Sequence, residues 1–318
     1  MSVVILVLVA LASIAIGAKE LPLDQVWHGL FHDSGTYADV VVGERRSRTV
    51  LGLLVGAALG LSGAVLQALT RNPLADPGLL GINAGASAAV VTAITYFGVT
   101  TLSGYVWFAF FGAAAVGALV WFLGGSRGAT PVRLALAGTA ISAALYGYLQ
   151  AVMIMDDAAL GKMRFWTVGS LASATDSMIM QVLPFLVIGT VLALALARPL
   201  NAMAMGDDTA RALGANLNRT RALSMAAATV LCGAATAACG PIVFVGLMVP
   251  HVVRSFTGPD LRWILPYATV LSPVLLLGAD VVGRIVARPA ELQVGIVTAI
   301  IGGPVFIYLV RRRRTAQL

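Results

Sequence analysis

The chain has 318 residues, of which 59% are hydrophobic and 11% charged. A soluble domain carries about 25% charged residues, so a water-soluble fold, a disordered chain and a secreted disulfide scaffold are all excluded. The net charge of +7 comes from 19 arginines with Lys19 and Lys162. They lie between apolar runs rather than on one basic face, which argues against nucleic acid as a partner. An all-α, polytopic membrane protein remains, and no connector is long enough to form a second domain.

A span needs about 20 apolar residues. The hydropathy pattern predicts about ten, at 2–18, 48–69, 79–98, 104–123, 132–155, 178–197, 222–239, 242–256, 263–285 and 294–310. The first run has the length of a signal-peptide core, but no basic residue precedes it, and it is read as a retained helix. After the second run, Asn72-Pro73 and Asp76-Pro77 are turn chemistry. Between the seventh and eighth runs stands Cys239-Gly240-Pro241, where proline ends or kinks a helix. One long kinked helix is the alternative there. Cys232 and Cys239 sit seven apart in an apolar run and read as small packing residues.

Two connectors carry structure of their own. Segment 156–177 contains Trp166, either an interfacial anchor or part of a vestibule. Segment 198–221 holds Asp207, Asp208 and Thr209, which suit a helix start. Ala210 and Leu213 give that short helix an apolar face, and Gly214 suits its end. A second short helix is expected from Leu217 onward.

Basic residues collect in cytoplasmic loops. With the N-terminus inside, the inner connectors hold 13 basic residues and 4 acids, and the outer ones 8 and 10. Ten spans with both termini cytoplasmic satisfy that bias, with Arg311 to Arg314 as the closing stop.

Catalytic and energy-coupling signatures are missing. The phosphate loop G-x-x-x-x-G-K-[ST] and H-E-x-x-H do not occur. The three histidines, His28, His32 and His251, form no metal-ligand pattern. The best candidate for an acid within a span is Asp280, near the outer end of its span and four residues before Arg284, a spacing that suits an ion pair on one helix face. Any transport would therefore draw its energy from another subunit. An ion-coupled secondary transporter and a membrane enzyme are the readings from other classes.

Four stretches carry a resemblance: VGAALGLSGAVLQALTRNPLADPGLLGINAGAS from Val55, GDDTARALG from Gly206, GPIVFVGLMVPHVVR from Gly240 and ADVVGRIVARPAELQVGIVTAIIGGP from Ala279. In this order and spacing the chain resembles the FecCD-type permease family of bacterial iron–siderophore, haem and cobalamin ABC importers. Within it the chain looks most like permeases for ferric catecholate siderophores such as enterobactin. The resemblance implies a type II importer permease with ten helices, in the bacterial cytoplasmic membrane. It implies a second permease subunit, with a paralogue favoured over a second copy. It also implies two ATPase subunits that bind the ATP and magnesium, this chain holding no cofactor or metal, and a periplasmic or lipid-anchored substrate-binding protein. A haem or cobalamin permease is the alternative substrate reading.

Site residues follow from the same resemblance. Arg45 and Arg48, and Arg284 in the family's A-D-x-x-A-R motif, would receive acidic residues of the binding protein. Gly206, Asp207, Asp208, Thr209, Ala210, Arg211, Leu213 and Gly214 match the coupling helices that dock on the ATPase. Aligning on RLALAG places Pro131 and Val132 at the cytoplasmic gate.

Overall fold

A computed structural model describes residues 1–32, 35–99, 101–125 and 131–315; Asp33 and Arg127 of the charge count lie outside them. Among the described residues all regular structure is helical. The helices are α1 (Ser2–Ala15), α2 (Leu23–Phe31), α3 (Tyr37–Thr70), α4 (Ile82–Phe97), α5 (Leu102–Gly125), α6 (Pro131–Met155), α7 (Asp157–Trp166), α8 (Asp176–Ala195), α9 (Ala197–Ala204), α10 (Asp207–Ala212), α11 (Leu217–Cys239), α12 (Val245–Thr257), α13 (Leu261–Val286) and α14 (Val294–Thr315). Six of them, α3, α5, α6, α8, α11 and α13, contain stretches long and apolar enough to cross a membrane, and α1, α4 and α14 add shorter apolar stretches.

In lipid every backbone polar group must be satisfied within the protein, so spans are helical. The apolar stretches of α3 and α11 are each 78% buried in the chain, whereas those of α5, α6 and α8 are 17–33% buried. Thus α3 and α11 form the centre, α13 packs along α3, and α5, α6 and α8 face outward. One end of the bundle carries α7, α2 and the start of α3. The other carries α9, α10 and the end of α3.

Small residues permit this close packing. Gly52, Gly56, Gly60 and Gly63 line one stripe of α3. A Cβ at Gly56 would stand 2.6 Å from Pro273 Cα, and one at Gly63 would overlap the carbonyl of Gly246. Ser62 Oγ donates to Ala228 O at 3.0 Å, which joins α3 to α11. Cys232 and Cys239 are buried free thiols within α11.

The α11–α12 break is real. Cys239 ends α11, Gly240 takes φ +73°, and a Cβ there would strike the carbonyl of Trp166. Three expected boundaries shift. α3 begins at Tyr37, because a capping box at Thr36 and Asp39 starts it eleven residues before the apolar run. α12 has only 13 residues, shorter than a full span. No second short helix follows α10: Leu217 is the first residue of α11 itself. The Asx turns hold as expected, with Leu74 N donating to Asn72 Oδ1 at 3.0 Å and Gly78 N to Asp76 Oδ1 at 2.8 Å.

Replacing Gly56 with valine forces α13 away from α3. Overpacking of this kind costs about 1–3 kcal/mol or more. A lowered thermal unfolding temperature in detergent is expected, and an unchanged one would show that the α3–α13 seam yields freely.

Candidate functional site

Three side-chain groups stand apart from the apolar packing. The first lies at the α7 end, where α1, α3 and α13 meet. Asp280 on α13 is wholly buried and accepts from Arg48 Nε at 3.0 Å and Arg48 Nη2 at 2.8 Å. Arg284, one turn along α13, closes on the same carboxylate and is 1% exposed. Its Nη1 donates to Ser13 O at 2.7 Å and Ile16 O at 3.0 Å. Arg48 Nη1 reaches Glu291 Oε2 at 2.6 Å. Arg45 donates to Ile14 O, Ala15 O and Lys19 O, at 3.2, 3.0 and 2.6 Å. The first two are carbonyls that the end of α1 leaves without helical partners, and the third lies in the connector after it.

The expected Asp280–Arg284 pair is present, with Arg48 as a further member. The expectation that Arg45, Arg48 and Arg284 face a partner's acids meets a different arrangement. All three guanidinium groups are buried and engaged inside the chain. The physical reason is local: a buried carboxylate and the open end of α1 both demand donors, and these arginines are within reach. At the rim, Arg46 and Arg288 keep exposed surface while pairing with Asp176 and Glu20.

The second group lies at the opposite end. Arg71 closes α3 in the left-handed region at φ +49°. Its guanidinium donates to Met203 O at 2.7 Å and pairs with Asp207. Arg221 Nη2 holds the other oxygen of Asp207 at 2.6 Å. Asp207 thus ties α10 to α3 and α11. Burial alone would raise its pKa, but hydrogen bonds and charge from Arg71 and Arg221 prevail and hold it below the ordinary carboxylate value. Gly206 precedes α10 at φ +108° and Gly214 follows it at φ +81°. Thr209 lies in α10, and Ala210 is buried against its neighbours. Arg211 pairs with Asp208 at 2.8 Å, while Leu213 is 65% exposed. The segment therefore presents an apolar side chain outward on a braced short helix. The preceding α9 was not foreseen; its apolar face buries Ala197, Leu200 and Met203.

The third group is a cavity of about 340 Å³ at the same end, between α6 and the turn after α3. Thr70, Asp76, Val132, Leu136 and Thr139 line it. Val132 is 65% exposed, and Pro131 is the first residue of α6. Asp76 is pushed up to about 6 by burial, against the lowering effect of its Gly78 hydrogen bond.

The FecCD transport family matches residues 5–312. The chain belongs to that family. It is 45% identical to the ferric enterobactin transport system permease protein of Escherichia coli K12, over 97% of this chain and 93% of that one. It is 39% identical to an Fe(3+)-citrate import system permease protein of Bacillus subtilis 168, over 96% and 91%. A solved inward-facing structure of a putative metal-chelate type ABC transporter superposes with a TM-score of 0.85 at 28% identity, covering 98% of this chain and 97% of that one. The FecCD chain described here is a multi-pass membrane protein, the permease subunit of an ABC importer.

Asp207 gives a pH dependence of known sign. Its folded pKa lies below the unfolded one, so its stabilisation is complete at neutral pH and fades as pH falls through the folded value. Wild type should exceed Asp207→Asn in thermal stability at pH 7, with the gap closing below about pH 4. A gap independent of pH would show that the Arg71 and Arg221 contacts contribute nothing through charge.

Proposed function

We propose that this chain is the permease subunit of an ATP-driven importer for ferric siderophore complexes. The observation that supports it most is the match of the whole chain to iron-complex permeases, 45% identical for the enterobactin relative. The substrate class follows those relatives, and a ferric catecholate fits the enterobactin likeness best. The residues add a physical argument: outside the ends of the bundle, the spans carry no chain of acids to couple ion flow.

In this reading the α10 end is cytoplasmic, as the arginine count argues, and both termini lie there. Two ATPase subunits, which bind the ATP and magnesium, receive the segment 206–214. Leu213 is the exposed apolar contact, and the left-handed Gly214 lets the chain turn away from the partner without a side chain in between. The α6 start, at Pro131 and Val132, forms part of the inner gate. A second permease subunit, with a paralogue favoured, covers the exposed α6 face. A substrate-binding protein docks at the α7 end. There Arg46 and Arg288 offer charge at the rim. Arg45, Arg48 and Arg284 shape the surface and meet a partner's acids only by releasing their internal ones.

The test is uptake of radiolabelled iron by vesicles holding this chain with its ATPase, second permease and binding protein. Ferric catecholate uptake that stops when ATP hydrolysis is blocked is expected. Gly214→Leu should leave hydrolysis intact and reduce uptake at least tenfold, since a side chain at φ +81° strains the turn. Uptake that survives without ATP but collapses with the proton gradient would overturn the reading.

A further inference from the structure

A cavity of about 380 Å³ at the α7 end belongs to none of the groups above. Its walls come from four helices and two connectors: Tyr105 on α5, Lys162 and Phe165 on α7, Met178 on α8, Cys239 on α11, Ser170 after α7 and Gln293 before α14. We propose that this cavity binds the headgroup of a phospholipid from the leaflet at the α7 end, Lys162 and Ser170 holding the phosphate and Gln293 a donor on the headgroup.

The polar lining selects the charge. Lys162 is one of two lysines in the chain, and among the described residues no carboxylate lines the cavity. The acid whose field it reaches, Asp156, is occupied by Thr95 Oγ1 and the N–H groups of Ala158 and Ala159. The Ser170 hydroxyl accepts from Ala172 N at 3.1 Å, which leaves its proton free to donate. An ammonium and a hydroxyl without an anion make a cradle for one.

Gln293 adds an independent requirement. Its Oε1 is buried and has no hydrogen-bond partner. Such an atom costs free energy unless a donor meets it. A bare anion brings none, whereas the ammonium of ethanolamine or the hydroxyls of glycerol do.

The apolar surroundings select a lipid over a free solute. Below the cavity, the α5–α8 seam is aromatic: Phe110 and Phe185 stand 4.3 Å apart, Trp107 and Phe185 5.9 Å. Trp107 and Phe111 are exposed on α5, which faces outward as α8 does. Met178 in the cavity wall and Phe185 in the seam are seven residues apart on α8, about 10 Å along the helix. A headgroup in the cavity therefore places its acyl chains on the seam. Bound there, the lipid bridges α7 to α5, α8 and the start of α14.

The experiment is native mass spectrometry of the assembled transporter with equimolar phosphatidylethanolamine, phosphatidylglycerol and phosphatidylcholine of identical chains. Retention of the first two over phosphatidylcholine, which lacks a headgroup donor, is expected. Lys162→Ala should lower retention about fivefold, Lys162→Arg should keep it, and Gln293→Leu should erase the preference between headgroups. Equal retention by wild type and Lys162→Ala would overturn the proposal. Displacement of the lipid by millimolar inorganic phosphate or by an anionic ferric complex would also overturn it, since the cavity would then serve a free solute. If Lys162→Ala does not assemble, the headgroup preference and its loss in Gln293→Leu decide.

Discussion

A carboxylate buried beside lipid must be surrounded by donors, and Asp280 is that carboxylate. Arg48 grips both of its oxygens from α3, and Arg284 grips one from its own helix. Each guanidinium has donors to spare, and these extend the grip. Arg284 reaches the end of α1, and Arg48 reaches Glu291 in the connector before α14. Arg45 completes the set on the α1 carbonyls. One buried charge thereby fixes the relative positions of α1, α3, α13 and the start of α14. The fork geometry of arginine suits this; lysine would supply the charge without the parallel hydrogen bonds.

The glycine stripe on α3 works with that clamp. Gly52 to Gly63 bring the α3 backbone against α13 and α12, and the clamp sets the register of α3 and α13 at one end. At the other end Asp207 does a similar job at lower burial, joining α10 to α3 and α11 through Arg71 and Arg221. The two ends are thus held by arginine–carboxylate contacts, and the middle by small residues. A permease must transmit movement of a cytoplasmic segment to an outer opening. Rigid contact between α3, α11 and α13 provides a continuous path for it, since α10 is tied to α3 and α11, and α3 to α13.

Much of this was legible in the sequence. Helical spans follow from composition, because lipid leaves no alternative for apolar runs of this length. The Asp280–Arg284 spacing and the Asx turns at Asn72 and Asp76 are local signals, and local signals survive folding. Arg48 as the second partner of Asp280 was not legible: the two residues are 232 positions apart. The inward turn of Arg45 escaped for the same reason, since its partners are carbonyls at the end of α1 and just beyond it and carry no sequence mark. The early start of α3 had a signal in Thr36 and Asp39, which lie well before the apolar run that begins near Arg48. Four motifs pointed to the family, and the likeness to known permeases along the whole chain agrees with them.

The central claim is that Arg48 and Asp280 act as one unit inside the bundle. A double-mutant cycle on unfolding in detergent tests it most directly, with Arg48→Met, Asp280→Leu and the double variant. Each single change takes from a buried charge one of its two partners, Asp280 keeping Arg284 and Arg48 keeping Glu291, and should cost up to about 3–5 kcal/mol. The double variant should cost less than the sum by at least about 1 kcal/mol. Strictly additive losses would contradict the account, because the two residues would then stabilise the bundle independently.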